Sequence, residues 1–194
     1  MPTIAHEFTW PDRIVVGTVG RPGERTFYLQ VRLRAQVVSV ALEKEQSALL
    51  AEKIDEILDE LMVNEGNPHS VPAVTPIELV DNDPLEQPVD EQFRTGTMSL
   101  GWDPSTAQIV IEAYPVVDVD PSDPLDALDA LDALDPLAET IEPAEVLLVR
   151  MPVGTARAFA QRTREIVGAG RPLCPLCGMP MDAGGHLCAA PDDL

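Results

Sequence analysis

The sequence predicts an α+β fold, in which an antiparallel sheet of about six or seven strands is packed by two amphipathic helices. Two observations lead to this prediction. Several short segments are rich in β-branched residues or alternate between apolar and polar side chains, as strands of a half-buried sheet do. Two longer segments place their apolar residues three or four positions apart, which is the spacing of a helix with one buried face.

The strands are predicted at residues 13–19, 26–34, 37–42, 93–102, 108–114 and 145–151. The second of them alternates most clearly, because Phe27, Leu29, Val31 and Leu33 fall on one face while polar residues occupy the other. Short turn sequences join the first three strands and also the fourth and fifth. These connections are typical of hairpins and favour antiparallel pairing.

Two helices are predicted at residues 43–62 and 154–167. The first carries one apolar stripe and ends near Asn64 and Gly66, which are common helix-terminating residues. The second ends before Gly168 and Gly170, and Pro172 prevents the helix from continuing. The stripe of the first helix consists of Leu50, Ile54, Ile57, Leu58 and Leu61.

Two irregular segments interrupt the predicted domain, which spans residues 1–170. Residues 65–92 are rich in proline and acid, and residues 118–143 contain a Leu-Asp-Ala repeat whose period of three fits neither a helix nor a strand. We expect the first to be an extended loop and the second to be a disordered low-complexity insertion. For the repeat, the alternative is a short acidic helix that docks on a basic partner surface.

The formal net charge of −20 argues against binding duplex DNA by general electrostatics, because the chain would repel the phosphates. No run of 18 apolar residues occurs, and the N-terminus does not resemble a secretory signal. We therefore expect a soluble, cytoplasmic protein that does not enter membranes. The partner, whether a protein or a small molecule, and the oligomeric state do not follow from the sequence.

All three cysteines lie near the C-terminus, where Cys174, Cys177, His186 and Cys188 have the spacing C-x2-C-x8-H-x-C. Three thiolates and one imidazole match the four-ligand shell of a structural zinc ion, and such a full shell leaves no position for a catalytic water. We therefore predict one structural zinc per chain in a knuckle over residues 171–188, followed by an acidic tail over 189–194. A redox-active Cys-x-x-Cys pair and three unlinked reduced thiols are the alternatives.

Outside the cysteines, no motif identifies a reaction. His6 and His69 have no nucleophile in a recognisable motif nearby. The leading expectation is a non-enzymatic binding or accessory module. The alternative is an enzyme acting on a small anionic metabolite in a groove of the sheet near the hairpin between Gly17 and Arg25, with polar groups from Tyr28, Arg32 or Arg94.

Several blocks of the sequence resemble a bacterial family of unknown function, number 3090 among the domains of unknown function. These blocks are His6-Glu7-Phe8, Gly17-Thr18-Val19-Gly20, Gly23-Glu24-Arg25-Thr26-Phe27, Ser39-Val40-Ala41-Leu42-Glu43-Lys44, Phe93-Arg94-Thr95-Gly96-Thr97-Met98 and the cysteine segment. The resemblance implies a small protein without an established activity, and it assigns no catalytic residues. The tail after Cys188 is acidic, whereas the family tends to continue with a basic stretch.

Overall fold

The computed structural model describes residues 3–21, 23–117, 145–170 and 181. Within this part of the chain, seven strands and two α-helices form the fold, with one 3-10 turn at Ile77–Leu79. The strands are β1 (Ile4–Thr9), β2 (Arg13–Val19), β3 (Thr26–Leu33), β4 (Gln36–Leu42), β5 (Glu91–Asp103), β6 (Gln108–Pro115) and β7 (Glu145–Pro152), and the helices are α1 (Lys44–Met62) and α2 (Val153–Gly168).

The seven strands form one sheet in the order β1-β7-β6-β5-β4-β3-β2. The sheet is mixed, so the prediction of a purely antiparallel sheet is wrong. The pairs β1–β7 and β4–β5 are parallel, whereas the other neighbours are antiparallel. The physical reason at β4–β5 is the connection: α1 and the following loop carry the chain back to the starting edge, and such a crossover makes neighbouring strands parallel.

The sheet is strongly curled. Strands β1 and β2 occupy its opposite edges, yet only residues 10–12 separate Thr9 from Arg13. Seven strands in a flat sheet would place the edges about 29 Å apart, because neighbouring strands lie about 4.8 Å from each other. The linker spans at most about 14 Å. The sheet must therefore bend until its edges approach each other, and β1 does contact β3.

Both helices cover the inner face of this curled sheet. The six predicted strands and both predicted helices are confirmed, each within two residues of the expected bounds. The buried stripe of α1 is Leu50, Ala51, Ile54 and Leu58, and α2 adds Ala156, Phe159 and Ala160. Against them lie apolar side chains from all seven strands, which form one continuous core: Phe8, Ile14, Val16, Phe27, Leu29, Val31, Val38, Val40, Leu42, Phe93, Ile109, Ile111, Ala113, Leu147, Val149 and Met151.

The segment between α1 and β5 is a loop that follows a defined path over the sheet. Leu85 is buried beside Gly17, on the face of the sheet opposite the helices. The amide of Gln30 on β3 donates to the carbonyl of Glu86 at 3.1 Å and accepts from its N–H at 2.8 Å. These contacts fix the loop across strands β2 and β3.

Two predicted features lie outside the described residues. These are the insertion at 118–143 and the zinc knuckle with its tail at 171–194, apart from residue 181. In the part of the chain that is described, no helix has both the length and the apolar character needed to span a membrane.

Candidate functional site

A groove of about 590 Å³ lies between the edge strand β2, the loop at residues 78–83 and helix α2. Strand β2 and the residues just before it supply one wall, from Pro11 to Val15. The wall from α2 is a single helical stripe, because its lining residues are spaced three or four positions apart: Thr155, Ala158, Phe159 and Arg162. The groove therefore joins elements that are far apart in sequence.

Asp81 is the centre of the charged network in this groove. Its carboxylate accepts a hydrogen bond from Nε of Arg13 at 2.6 Å and another from Nη1 of Arg162 at 2.8 Å. The hydrogen bond from Arg13 lowers the pKa of Asp81 below its ordinary value, and the N–H of Asp83 adds to this effect. Asp81 is therefore ionised at neutral pH, and it is the shared counter-ion of two arginines.

The same arginines hold the loop by its backbone. Nη2 of Arg13 donates to the carbonyls of Asp83 at 2.8 Å and Pro84 at 3.0 Å. Arg162 donates to the carbonyls of Asp81 and Asp83, and its Nε reaches the carbonyl of Val16 on β2 at 3.4 Å. The side chains of Arg13 and Arg162 are 11% and 10% exposed. Because they are nearly buried, their hydrogen bonds connect the loop to the strand and the helix inside the protein.

The pKa values of the two arginines are shifted in opposite directions. Desolvation lowers the pKa of Arg162, whereas the hydrogen bond to Asp81 raises the pKa of Arg13. Arg13 also lowers the pKa of Arg162, because the two guanidinium groups repel each other. Their common carboxylate offsets this repulsion, so removing Asp81 would leave two close, poorly solvated cations.

The charges that line the groove sum to −2. Arg13 and Arg162 face four carboxylates, on Asp12, Glu78, Asp81 and Asp83. The carboxylate of Asp12 accepts the N–H of Arg34 at 2.5 Å, and that of Asp81 is engaged as described. Glu78 and Asp83 are exposed, and among the described residues no side chain pairs with their carboxylates. Within the described part of the chain, the groove thus presents two carboxylates that have no paired cation.

The alternative of an enzyme placed its site in a groove near the Gly17–Arg25 hairpin, but the structure fills this place with other residues. A Cβ atom on Gly17 would lie 2.5 Å from Cγ of Leu85, so the loop fills the space beside this glycine. Tyr28 and Arg94 each have a carboxylate partner: the Tyr28 hydroxyl donates to Glu91 at 3.1 Å, and Nη1 of Arg94 donates to Glu43 at 2.7 Å.

Arg32 is also in an ion pair, because its Nε lies 3.2 Å from a carboxylate oxygen of Glu86. All three polar residues of the hypothesis therefore face carboxylates. They form a set of ion pairs and hydrogen bonds between the strands and their surroundings. The groove lies elsewhere along β2, where the strand begins.

The two histidines of the described part are separate from the groove. Nε2 of His6 is 2.6 Å from a carboxylate oxygen of Glu145, which also accepts a hydrogen bond from Gln92 at 2.9 Å. The ring of His69 packs edge-on against Trp102, with a centroid distance of 4.9 Å. His6 thus links β1 to β7 and β5, and His69 attaches the loop after α1 to β5.

The predicted zinc ligands Cys174, Cys177, His186 and Cys188 all lie outside the described residues. Among the residues that are described, no group of three or more His, Cys, Asp or Glu side chains is arranged to hold a metal ion. The metal prediction therefore rests on the ligand types and their spacing.

Sequence reasoning missed the arginine–aspartate network. Asp81 lies in an acidic loop where nothing distinguishes it from its neighbours, and Arg13 occupies the first position of a strand. One signal was present in α2: Arg162 directly precedes the buried Thr163 and borders the apolar stripe. A charged residue at such a boundary indicates a buried partner, but it does not say which one.

Comparison with known proteins places the chain in a family. The model of a family described as "Protein of unknown function (DUF3090)" matches residues 6–188. No curated protein and no solved structure matches the chain. Because the match covers nearly all of the sequence, including the strands that form the groove and the cysteine segment, the chain belongs to this family of proteins of unknown function.

Proposed function

We propose that this protein is a non-enzymatic binding or accessory module whose ligand occupies the groove between β2, the 78–83 loop and α2. The observation that carries the proposal is the engagement of both groove arginines with Asp81 and the loop backbone. These contacts hold the groove in shape without a ligand, and such preformed concave sites are typical of ligand binding. The two buried arginines bind Asp81 and the loop backbone, so their charges stabilise the groove instead of contacting a ligand.

The proposal includes a structural zinc ion held by Cys174, Cys177, His186 and Cys188. The donor set supports it, because three thiolates and an imidazole complete a tetrahedral shell. Such a shell gives the metal no open coordination position. In this proposal the zinc folds the C-terminal segment, and the groove in the α+β domain binds the ligand.

The alternative of an enzyme that acts on a small anionic metabolite near Gly17 has less support. Leu85 occupies that place, and Tyr28, Arg32 and Arg94 have carboxylate partners. A free anion would have to compete with these internal carboxylates for each cation. The net charge of the groove at β2 also opposes an anionic ligand.

A thermal-shift screen tests the proposal with the full chain, a library of metabolites of both charge signs and a set of short peptides. We expect at least one class of compound to raise the melting temperature. The variant Ala158→Trp places a large side chain in the groove and should remove the shift. The control Glu60→Trp adds the same bulk at an exposed position of α1 and should keep it.

Two results would overturn the proposal. One is that the stabilising compound acts equally on Ala158→Trp and Glu60→Trp, because the ligand would then bind away from the groove. The other is that the wild-type chain converts the compound into a product, which chromatography of the incubated mixture would reveal. In that case the protein is an enzyme.

A further inference from the structure

The outer edge of β2 forms part of the groove wall. The carbonyl of Val16 accepts a hydrogen bond from Arg162, so the backbone of Val16 faces away from β3. Backbone direction alternates along a strand, and Ile14 therefore faces outward as well. The register of β4 gives the same alternation, because Ser39 and Ala41 pair with β5 on the far side. The N–H and C=O of Ile14 thus point away from the sheet.

Among the residues that the structure describes, β2 pairs with β3 alone, and no loop or turn backbone donates to or accepts from Ile14. The side chain of Ile14 is buried in the core, but the residue still lines the groove, together with the neighbouring β2 residues Arg13 and Val15. A free strand edge with an outward donor and acceptor pairs readily with another extended chain. This mode of recognition, in which a peptide adds a strand to a sheet, obtains affinity from the main chain and specificity from the side chains.

The available edge is short. Arg162 already occupies the carbonyl of Val16, and Pro11 has no N–H to donate. One peptide residue opposite Ile14 could therefore form two hydrogen bonds, while its neighbours extend over α2 and the loop. The groove volume of about 590 Å³ suits a short segment and not a whole domain.

The charge of the groove selects the kind of peptide. Glu78 and Asp83 are exposed carboxylates at the rim, whereas the two lining arginines are paired with Asp81. No cation among the described residues pairs with these two carboxylates, so a cationic side chain can pair with them, whereas an anionic one would be repelled. The net charge of −20 over the whole chain also favours the approach of a basic partner.

We propose that the groove binds a short, extended, Lys- or Arg-bearing segment of a partner protein, which pairs with the backbone of Ile14 and contacts Glu78 and Asp83. This inference rests on the proposed function of the groove as a binding site. It adds the class of ligand and the way in which the ligand is recognised.

Fluorescence anisotropy with labelled octapeptides tests it. The first probe alternates valine and lysine, and the second alternates valine and glutamate. The third and fourth probes are the valine–lysine peptide with one or the other set of alternate backbone nitrogens methylated, because either set can face Ile14. We expect the valine–lysine peptide to bind, and the valine–glutamate peptide and at least one methylated form to bind at least about tenfold more weakly.

Variants of the protein test the two kinds of contact. The double variant Glu78→Gln with Asp83→Asn should weaken the valine–lysine peptide by about fivefold or more and reduce the salt dependence of its affinity. The matched control, Glu52→Gln with Glu60→Gln, removes the same charge from exposed positions of α1 and should change the affinity little. Both pairs are exposed, so the fold is retained, and circular dichroism checks this.

The outcomes separate this inference from the proposed function. Equal affinity of the valine–lysine peptide and both methylated forms would overturn pairing with β2. Equal or tighter binding of the valine–glutamate peptide would overturn the charge argument. If no peptide binds while a metabolite shifts the wild-type melting temperature but not that of Ala158→Trp, the peptide inference is wrong and the groove is still a binding site. If Ala158→Trp changes the binding of no peptide and the thermal shift of no metabolite, both the peptide inference and the proposed function of the groove are wrong.

Discussion

The guanidinium group of Arg157 in α2 lies 2.7 Å from the carboxylate of Asp55 in α1. The side chain of Arg157 is 8% exposed, and it also donates to Asp59 of α1 and to the carbonyl of Pro72. Arg164 pairs with the same aspartate. This network fixes how α2 lies against α1. Because α2 forms one wall of the groove, the network also fixes the shape of the groove.

Replacing Arg157 with methionine should therefore destabilise the domain. The Asp55 carboxylate would lose one of its two arginine partners, and the N–H groups that reach Asp59 and Pro72 would be lost as well, so we expect a loss of about 2 kcal/mol in the free energy of unfolding. Urea denaturation measures it. Arg94→Met is the matched control, because the Arg94–Glu43 pair is about half exposed, and such pairs contribute less than about 1 kcal/mol. Equal losses in the two variants would contradict the prediction.

Gly17→Ala tests the contact between β2 and the loop. The new Cβ would lie 2.5 Å from Cγ of Leu85, so either the leucine or the loop must move. We expect a loss of about 1–3 kcal/mol, as is usual for overpacking. Adding Leu85→Ala should recover part of it, because the two substitutions share one contact. Gly101→Ala is the control, since a Cβ added at Gly101 would point into open space. Additive effects of Gly17→Ala and Leu85→Ala would contradict the contact.

The strands and helices that the sequence predicts all have a strong local signal. Residues 26–34 alternate in polarity, and α1 has a regular apolar stripe with Glu43 and Gln46 forming a capping box at its start. Strand β1 has no such signal, since Ile4 is exposed and Phe8 is its one fully buried side chain. It exists because β7 pairs with it, and β7 lies at the other end of the chain.

Local sequence patterns do not predict the groove either. Its charged centre joins Arg13, Asp81 and Arg162, which belong to three separate elements. No local pattern relates these positions, because their proximity results from the curl of the sheet and the path of the loop. The parallel pairing of β4 with β5 was missed for the same reason, since hairpin signals describe only strands that are joined by short turns. Long-range pairing depends on the global fold.

The stability of the domain should depend on pH through Asp81. Its pKa is lower in the folded state than its ordinary value of 3.8, because Arg13 donates a hydrogen bond to the ionised form. The stabilisation is therefore complete above the unfolded pKa, and it is lost as the pH falls through the lower folded pKa. Asp81→Asn removes it at every pH.

We expect the gap in free energy of unfolding between wild type and Asp81→Asn to be constant near neutral pH and to shrink below about pH 4. Urea denaturation at a series of pH values measures this gap. The exposed residue Asp90 provides a control, because Asp90→Asn should leave a small gap throughout. A gap for Asp81→Asn that persists unchanged in acid would show that the ion pair is not its cause.

Deletion of residues 118–142 should leave the domain at least as stable as before. The flanking strands β6 and β7 are antiparallel neighbours, with Ala113 opposite Leu147, so a short turn can join them. The connection between β6 and β7 shortens from 29 residues to four, or almost three halvings, and each doubling of loop length costs about 0.6 kcal/mol. We therefore expect no loss of stability and a gain of at most about 2 kcal/mol. Thermal denaturation of the shortened chain measures it. A loss of several kcal/mol would mean that the Leu-Asp-Ala repeat packs on the domain.

The predicted zinc ion should be essential to the C-terminal segment and dispensable for the sheet. Residues 171–188 contain few apolar side chains, so their folding would require the metal, whereas the described residues form one continuous core among themselves. Metal analysis of protein purified without added zinc should give about one equivalent per chain. Cys177→Ser should abolish it, and Met179→Ser, a change in the same segment at a residue that is not a predicted ligand, should preserve it.

Limited proteolysis and circular dichroism of Cys177→Ser then separate the roles of the metal. We expect cleavage after residue 170 to become faster, while the sheet signal and the urea midpoint of the remaining domain stay close to those of wild type. Unfolding of the whole domain would mean that the cysteine segment belongs to the main core. Three freely titrating thiols and no metal in the native wild-type chain would exclude the zinc site altogether, and the redox pair or the unlinked thiols would then explain the cysteines.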